Sequence, residues 1–380
     1  MPHRTFLWFI LPSLLAMILF IALPIGSVLV QSLYVEHEQV LIETETCGPF
    51  GCTPSVSVDQ DATRALREAQ PLGRFNGLRT YTDRNHLAFA EVAAAWTGSE
   101  GWADFGGRLM NLPFYKALAF TLAYTFIVTP FVIILGLAIA LAVNGLPRML
   151  KGPTIFVSLL PMIVTPLVGS LILFWMIDAD GIIGATLQRL TGNSDLSLKA
   201  SPALTWLTLF LYGIWSSSPF AFIVFYAGLQ TVPGETLEAA QIDGATRWQR
   251  VRYVTIPYMA PLVVFILLIQ LMDNFRVFEA IVGLSAQANA SSLSILIYSD
   301  LRGDVAQFGS AAATSMMTII GVAILLTPVL IRTVASRTLS GAWTKTRVSG
   351  SQWVSLTMPI AALVLKSGDQ AAELTWPTTL

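Results

Sequence analysis

Charged residues are scarce in this chain of 380 amino acids, since only 12% are Asp, Glu, Lys or Arg. A water-soluble domain carries about 25% charged residues, so most of this chain has no face that water could solvate. The three histidines, His3, His37 and His86, lack the spacing of helical metal ligands. A net charge of −1 supplies no basic field for nucleic acid. The composition therefore gives little support to a metalloenzyme or a nucleic-acid-binding protein.

Long apolar runs take the place of the missing charge. A run of about 20 apolar residues crosses a bilayer as a helix. Six segments meet this criterion: residues 6–33, 114–143, 155–177, 205–229, 259–283 and 311–334. Transmembrane β-strands alternate in hydrophobicity, whereas these runs are continuously apolar. We therefore predict an all-α, polytopic membrane protein with about six transmembrane helices. The first run exceeds the apolar core of a cleaved signal peptide, which favours an uncleaved span over that alternative.

Basic residues in the short loops predict the orientation, because Lys and Arg accumulate in short cytoplasmic loops. With the N-terminus in the cytoplasm, the inner segments hold ten: Arg4, Arg148, Lys151, Arg247, Arg250, Arg252, Arg332, Arg337, Lys345 and Arg347. The short outer loops hold three: Arg189, Lys199 and Arg302. We therefore expect an N-terminal helix (1–33), an outer insert (34–113, "the insert"), a core of spans (114–335) and a cytoplasmic tail (336–380).

The insert holds the only two cysteines, Cys47 and Cys52, in the segment CGPFGC. Glycine and proline between them allow a tight turn, and an oxidising compartment favours disulfides. A local Cys47–Cys52 disulfide is predicted, with two unpaired thiols or a weak metal clip as alternatives. Residues 63–70 and 87–96 have weak helical periodicity. In the tail, the apolar stretch 353–365 is too short to span a bilayer.

A polar segment, residues 234–257 ("the elbow"), separates the fourth and fifth apolar runs. Acidic residues at its start suit the N-terminus of a helix, and Gly244 can end that helix in the left-handed conformation. Thr246 can cap a second helix, and Pro257 suits the first turn of the next span. The pattern predicts two short helices joined by a sharp turn. The alternative is one amphipathic surface helix with a chance Glu-Ala-Ala.

The elbow resembles the EAA loop of the permease subunits of binding-protein-dependent ABC importers. The similarity lies in Glu238-Ala239-Ala240, in Gly244, and in the residues 254–257, Val-Thr-Ile-Pro. Segments 75–81 and 114–121 are similar to sugar-type permeases, and 275–315 to the maltose-type first subunit, except that residues 285–289 replace the usual Gly-Gly-Pro. The resemblance implies a type I ABC importer permease core that translocates a sugar or related polyol. It also implies contact with an ATPase through Glu238, Ala239, Ala240, Asp243 and Gly244.

The same resemblance implies the partners: a second permease subunit, an ABC ATPase dimer that binds ATP and Mg²⁺, a periplasmic solute-binding protein, and the lipid of a bacterial inner membrane. This chain lacks the G-x-x-x-x-G-K-[ST] nucleotide fingerprint, so neither a cofactor nor an enzymatic activity is expected in it. A secondary transporter or channel without an ATPase is the alternative, although such transporters often contain an inverted repeat that is not evident here. A membrane-embedded enzyme is disfavoured because no His or Cys lies in a predicted span.

The fifth apolar run contains the polar residues that are candidates for the substrate path: Gln270, Asp273, Asn274, Arg276 and Glu279, with the aromatic Phe278. Ionisable residues inside a span usually mark function. A rise of 1.5 Å per residue places Asp273 about 21 Å from Met259, in the outer half of the membrane. Spacings of three residues predict Asp273–Arg276 and Arg276–Glu279 pairs. Two interpretations remain open: a solute-binding cavity, or a self-satisfied ladder that stabilises a gate or subunit interface.

Overall fold

The computed structural model describes residues 3–48, 51–193, 195–303 and 305–343. The predicted stretch 353–365 lies outside these ranges. The chain begins with α1 (His3–Met17), a π-helical turn (Ile18–Ala22) and α2 (Leu23–Gln31). The insert follows: β1 (Tyr34–Val35), β2 (Leu41–Gly48), β3 (Gly51–Val58), α3 (Gln60–Ala69), β4 (Arg74–Phe75), α4 (Arg79–Thr82), α5 (Phe89–Thr97) and α6 (Trp102–Leu109).

The core contains the remaining helices: α7 (Pro113–Asn144), α8 (Arg148–Ile163), α9 (Pro166–Met176), α10 (Ile182–Thr191), α11 (Pro202–Leu229), α12 (Gly234–Ile242), α13 (Arg247–Arg250), a π-helical turn (Val251–Thr255), α14 (Ile256–Tyr258), α15 (Ala260–Phe275), α16 (Glu279–Gly283), a 3₁₀ turn (Ala286–Ala288), α17 (Leu293–Arg302) and α18 (Phe308–Trp343). Within the described residues, four helices are long and apolar enough to cross a membrane, or up to six spans if each of two bent helix pairs counts as one. The predicted all-α class with about six spans is confirmed.

The predicted third span is not a straight helix. α8 and α9 meet at an angle of 93°, because Val164 and Thr165 between them are extended. Proline disfavours the helical conformation of the residue before it, so Pro166 explains the extended Thr165 and then serves as the first residue of α9.

The predicted fifth span also differs from the structure, since α15 ends at Phe275 and a separate short helix begins at Glu279. No proline or glycine occurs at the break. The carbonyl of Val277, which loses its helical partner there, accepts the hydroxyl of Ser292 at 2.6 Å. A tertiary contact therefore satisfies the interrupted backbone, as buried polar groups require.

The centre of the fold is the close packing of α7 on α11. The two helices run in the same direction, since Trp206 packs on Phe120 near their starts (ring centroids 4.9 Å apart) and Gln230 donates to Asn144 at their ends (3.2 Å). A Cβ added at Gly136 would lie 2.5 Å from the Cβ of Ala221. Small residues thus let the two backbones approach, as is usual between membrane helices.

The insert contains a β-hairpin that the sequence pattern did not predict. β2 pairs antiparallel with β3 over residues 41–48 and 51–58, and β1 pairs with β4. The expected helical segments are present, as α3 and α5. β2 contains Ile42 and two threonines, and β3 contains one threonine and two valines; the strand preference of these β-branched residues is the signal that could have indicated the hairpin.

Hydrogen bonds attach the insert to the first turns of α18. The N–H of Gly309 donates to the Glu36 carboxylate at 2.7 Å, and Nε2 of the buried His86 lies 3.1 Å from the hydroxyl of Thr314.

A further hydrogen bond joins α17 to the start of α18, where Ser310 donates to the Asp300 carboxylate at 2.7 Å. Burial raises the pKa of Asp300, and this hydrogen bond and His86 partly oppose that effect.

Candidate functional site

The first half of the elbow is α12 and the turn that ends it. Gly244 has a φ of +78°, which an L-residue with a side chain adopts only at a cost. The N–H of Ala245 donates to the carbonyl of Ala240 (3.0 Å), and that of Gly244 to the carbonyl of Gln241 (3.1 Å). These two bonds form a Schellman motif, which satisfies the free carbonyls at a helix C-terminus. The predicted helix end at Gly244 is confirmed.

The second half is held by a capping box. The hydroxyl of Thr246 accepts the N–H of Gln249 (3.3 Å), and the side chain of Gln249 accepts the N–H of Thr246 (2.7 Å). The guanidinium of Arg250 donates across the turn to Gln241 (3.1 Å), and the hydroxyl of Tyr258 donates to the carbonyl of Thr231 (2.9 Å). The two halves are thereby fixed to each other and to the end of α11. Arg250, Gln241 and Tyr258 were not among the sequence candidates.

The elbow presents its side chains outward. Of the nine residues of α12, all of which the structure describes, none is buried. Glu238, Ala239, Asp243 and Gly244 are exposed, and Ala240 is half-buried. Two large apolar side chains that the sequence reasoning missed are also exposed, Ile242 at 86% and Trp248 at 66%. Large apolar side chains exposed within a polar segment are typical of a protein-docking surface.

The elbow and the insert lie at opposite ends of the helix bundle. The insert leads into the start of α7, whereas the elbow follows the end of α11. Because α7 and α11 run in the same direction, as shown above, the two segments are separated by the length of α7. A helix of 32 residues is about 48 Å long, which exceeds the thickness of the hydrocarbon core.

The buried candidates of α15 join this helix to the middle of α7. Asn274 donates to the hydroxyl of Thr129 (3.0 Å) and to Gln270 (3.3 Å), and these atoms are buried. Thr129 lies 16 residues after Pro113 in a helix of 32 residues. The end of α15 therefore lies near the middle of the membrane and not in its outer half, as the rise per residue alone had indicated. In this conformation, Gln270 and Asn274 are engaged in helix packing.

The charged candidates lie at the same depth but are exposed. Asp273 and Arg276 form an ion pair of 3.1 Å, with 54% and 56% of their side-chain surfaces exposed, so the first predicted pair is confirmed. Among the residues that the structure describes, Arg276 forms no ion pair with Glu279, and the second predicted pair is wrong. The helical spacing on which it depended is lost because α15 ends at Phe275.

The chain around these charges is irregular although it lies at membrane depth. Phe278 packs edge-on against Tyr298 (5.2 Å between ring centroids), and the carbonyl of Glu279 accepts the hydroxyl of Ser170 (3.2 Å). Farther along, the N–H of Leu293 donates to Thr121 of α7 (3.2 Å). Non-helical backbone within a membrane occurs where it is buried in protein or lines an aqueous cavity. The structure thus brings a broken helix and exposed charges together at mid-membrane.

Backbone register places the two cysteines directly opposite each other. Cys47 pairs with Cys52 in the β2–β3 hairpin, and Cα atoms paired in this way are about 4.5–5.5 Å apart. That separation lies within the range of disulfides. The side chains of both residues lie outside the part of the chain whose burial is described, so the disulfide stays a prediction.

Comparison with known proteins agrees with this architecture. The model of the family "binding-protein-dependent transport system inner membrane component" matches residues 106–340. The chain is 32% identical over 232 residues to the trehalose transport system permease protein SugA of Mycobacterium tuberculosis, covering 60% of this chain and 72% of SugA. It is 25% identical over 212 residues to the trehalose/maltose permease protein MalF of Thermococcus litoralis, covering 54% of this chain and 70% of MalF.

A solved structure also has the same fold. A chain of a bacterial alginate ABC transporter, in complex with an alginate-bound periplasmic protein, superposes with a TM-score of 0.53 at 24% identity. The superposition covers 69% of this chain and 90% of the other. Because the matched family segment includes the spans from α7 to α18 and the elbow, this chain belongs to the family of inner membrane components of binding-protein-dependent transport systems.

Proposed function

We propose that this chain is a permease subunit of an ABC importer, that its elbow docks on an ATPase subunit, and that the broken end of α15 lines the path of a sugar or related polyol. One observation carries the proposal: from the bend at Met259, just after the elbow, α15 runs unbroken to the exposed Asp273 at mid-membrane depth. Its 16 residues span about 24 Å. A displacement of the elbow is therefore transmitted to Asp273 through a single helix.

Chemistry at the elbow supports docking on a separate motor. The Schellman turn and the capping box make the elbow rigid, and Glu238, Ile242 and Trp248 on it are exposed. ATP and Mg²⁺ are expected in that partner, in an ABC ATPase dimer. A second permease subunit and a periplasmic binding protein complete the assembly that we propose. The N-terminus and the elbow then face the cytoplasm, and the insert faces the periplasm.

Chemistry at the broken helix supports a polar solute. Exposed charges at mid-membrane depth are costly against lipid, so Asp273 and Arg276 must face the solute path or the second permease subunit. A carboxylate and a guanidinium provide acceptors and donors for hydroxyl groups, and Phe278 offers an aromatic ring nearby. The names of the relatives SugA and MalF, which refer to trehalose and maltose, support the sugar class.

The test is reconstitution of the assembled transporter with its ATPase and binding protein in proteoliposomes. We expect ATP-dependent uptake of a disaccharide such as trehalose or maltose. Glu238→Lys should abolish uptake while the chain stays inserted, since it reverses the charge on the docking face. Asp273→Ala should change the apparent solute affinity more than the basal ATPase rate.

Two results would contradict the proposal. Uptake at the normal rate by the Glu238→Lys transporter would remove the coupling role of the elbow. An Asp273→Ala transporter with unchanged solute affinity would remove Asp273 from the path. Phe131 of α7 is exposed and lies outside both the elbow and the broken end of α15, so Phe131→Leu provides the control and should leave both quantities unchanged.

A further inference from the structure

The helical hairpin α5–α6 of the insert exposes aromatic side chains. Trp102 is 79% exposed and Trp96 is 54% exposed. The two indoles contact each other edge-on, with ring centroids 5.3 Å apart, and Phe105 packs on Trp96 at 5.2 Å. A cluster of exposed aromatic rings is unusual on a protein surface that faces only water.

Two attachments place this hairpin at the membrane surface. α6 ends at Leu109, and α7 begins four residues later at Pro113. The hydroxyl of Tyr115, in the first turn of α7, donates to the carbonyl of Leu87 just before α5 (2.8 Å). Both the beginning and the end of the hairpin are therefore held at the outer end of the same membrane-spanning helix.

The composition of α7 shows how deep that end lies. At about 48 Å, α7 is slightly longer than a bilayer with its headgroup layers, which measures about 40–45 Å. Its single charged residue is the exposed Lys116, and a lysine near a helix end extends its ammonium to the headgroups. The start of α7, and with it the hairpin, thus lies at headgroup level.

The hairpin helix α6 has an apolar and a polar face. At 100° per residue, Trp102, Phe105 and Leu109 fall on one side. Asp104 and Arg108 form an exposed ion pair of 3.0 Å on another side. Trp is the residue most typical of the membrane interface, where its ring contacts lipid and its N–H contacts headgroups.

We propose that the α5–α6 hairpin lies in the headgroup layer on the insert side of the membrane, with Trp96, Trp102 and Phe105 in contact with phospholipid. This contact holds the insert against the bilayer and fixes its height above the start of α7. The partner is the lipid surface itself. The inference depends on the membrane fold and not on the solute that is transported.

Two adjacent glycines of α6 offer a matched pair of reporter positions that keeps every aromatic side chain. Gly106 lies four residues after Trp102, on the aromatic face, whereas Gly107 points about 100° away. A Cβ at either position has no described atom within 4 Å. Spin labels on Gly106→Cys and Gly107→Cys, in a background with Cys47→Ser and Cys52→Ser, therefore report the two faces with little disturbance.

The measurement is the relative accessibility of each label to oxygen and to a water-soluble nickel chelate, in the assembled transporter in nanodiscs of phosphatidylethanolamine and phosphatidylglycerol. We expect the ratio of oxygen to nickel accessibility to be several times higher at position 106 than at 107, and to stay below that of a label on the exposed Phe131→Cys, which lies about 27 Å from the start of α7 and so near the bilayer centre. Equal ratios at 106 and 107 would overturn the proposal. Protection of position 106 that appears only when binding protein or sugar is added would also overturn it, since a protein or a solute would then be the occupant.

Discussion

Replacing Gly244 by alanine tests whether the elbow needs a left-handed backbone conformation at this position. The φ of +78° at this position costs a residue with a Cβ about 1–2 kcal/mol. Steric overlap adds nothing, because an added Cβ finds no atom of a described residue within 4 Å. The whole penalty therefore falls on the turn that joins α12 to α13.

The penalty has a measurable size. Since about 1.4 kcal/mol corresponds to a factor of ten, Gly244→Ala should weaken ATPase binding by roughly tenfold if the native turn is required and the elbow has no reserve of stability. The assay is titration of the ATPase subunit against the permease in nanodiscs, with ATP-dependent uptake measured in parallel. Gly244→Val should have a larger effect, because β-branched residues are least tolerated at positive φ.

Two matched variants separate this effect from a general loss of glycine. Gly234, at the other end of α12, also has open space around it and no positive φ, so Gly234→Ala should bind the ATPase normally. Gly244→Asn should retain most of the affinity, because asparagine tolerates the left-handed conformation. Equal affinities for the Gly244→Ala and Gly234→Ala proteins would refute the reasoning.

Three further outcomes are expected. Asn274→Ala leaves the buried hydroxyl of Thr129 without its partner and should lower the free energy of unfolding by about 1–2 kcal/mol, measured by thermal denaturation in detergent; an unchanged midpoint would show that water replaces the amide. Asp300→Asn should raise the thermal midpoint at neutral pH more than at about pH 4. The folded state raises the pKa of Asp300 above the ordinary carboxyl value of 3.8, so the ionised carboxylate destabilises the fold once the pH exceeds that value, and asparagine removes this penalty. An equal rise of the midpoint at both pH values would contradict this. Cys47 and Cys52 should resist alkylation until a reductant is added, and prompt alkylation of the oxidised protein would rule out the disulfide.

Local signals were sufficient to predict the elbow. The turns at Gly244 and Thr246 are made by hydrogen bonds between residues no more than five positions apart, so the local sequence is enough to predict these turns. The spans were predictable for a related reason, since continuous apolar composition leaves the backbone no alternative to a helix in lipid. The extended residue before Pro166 follows from a rule that concerns one neighbour.

Distant contacts explain what the sequence did not predict. The break after Phe275 depends on Ser292, which lies 15 residues from the carbonyl that it satisfies. The position of Asn274 depends on Thr129, 145 residues away. Neither partner is marked by its local sequence. Charge spacing therefore predicted the Asp273–Arg276 pair correctly and failed for Glu279, where the helix had already ended.

The bend between the elbow and α15 has a mechanical consequence. The segment Arg247–Tyr258 meets α15 at 65°, and Met259 at the corner is 1% exposed. If an ATPase moves the elbow, this packed corner would be the pivot of a lever whose arm is α15. A swing of about 5° at the pivot would carry the tip of a 24 Å arm about 2 Å. That distance is enough to break the hydrogen bond between the amide of Asn274 and the hydroxyl of Thr129. The end of α15 would then have two discrete positions, one with this bond formed and one with it broken.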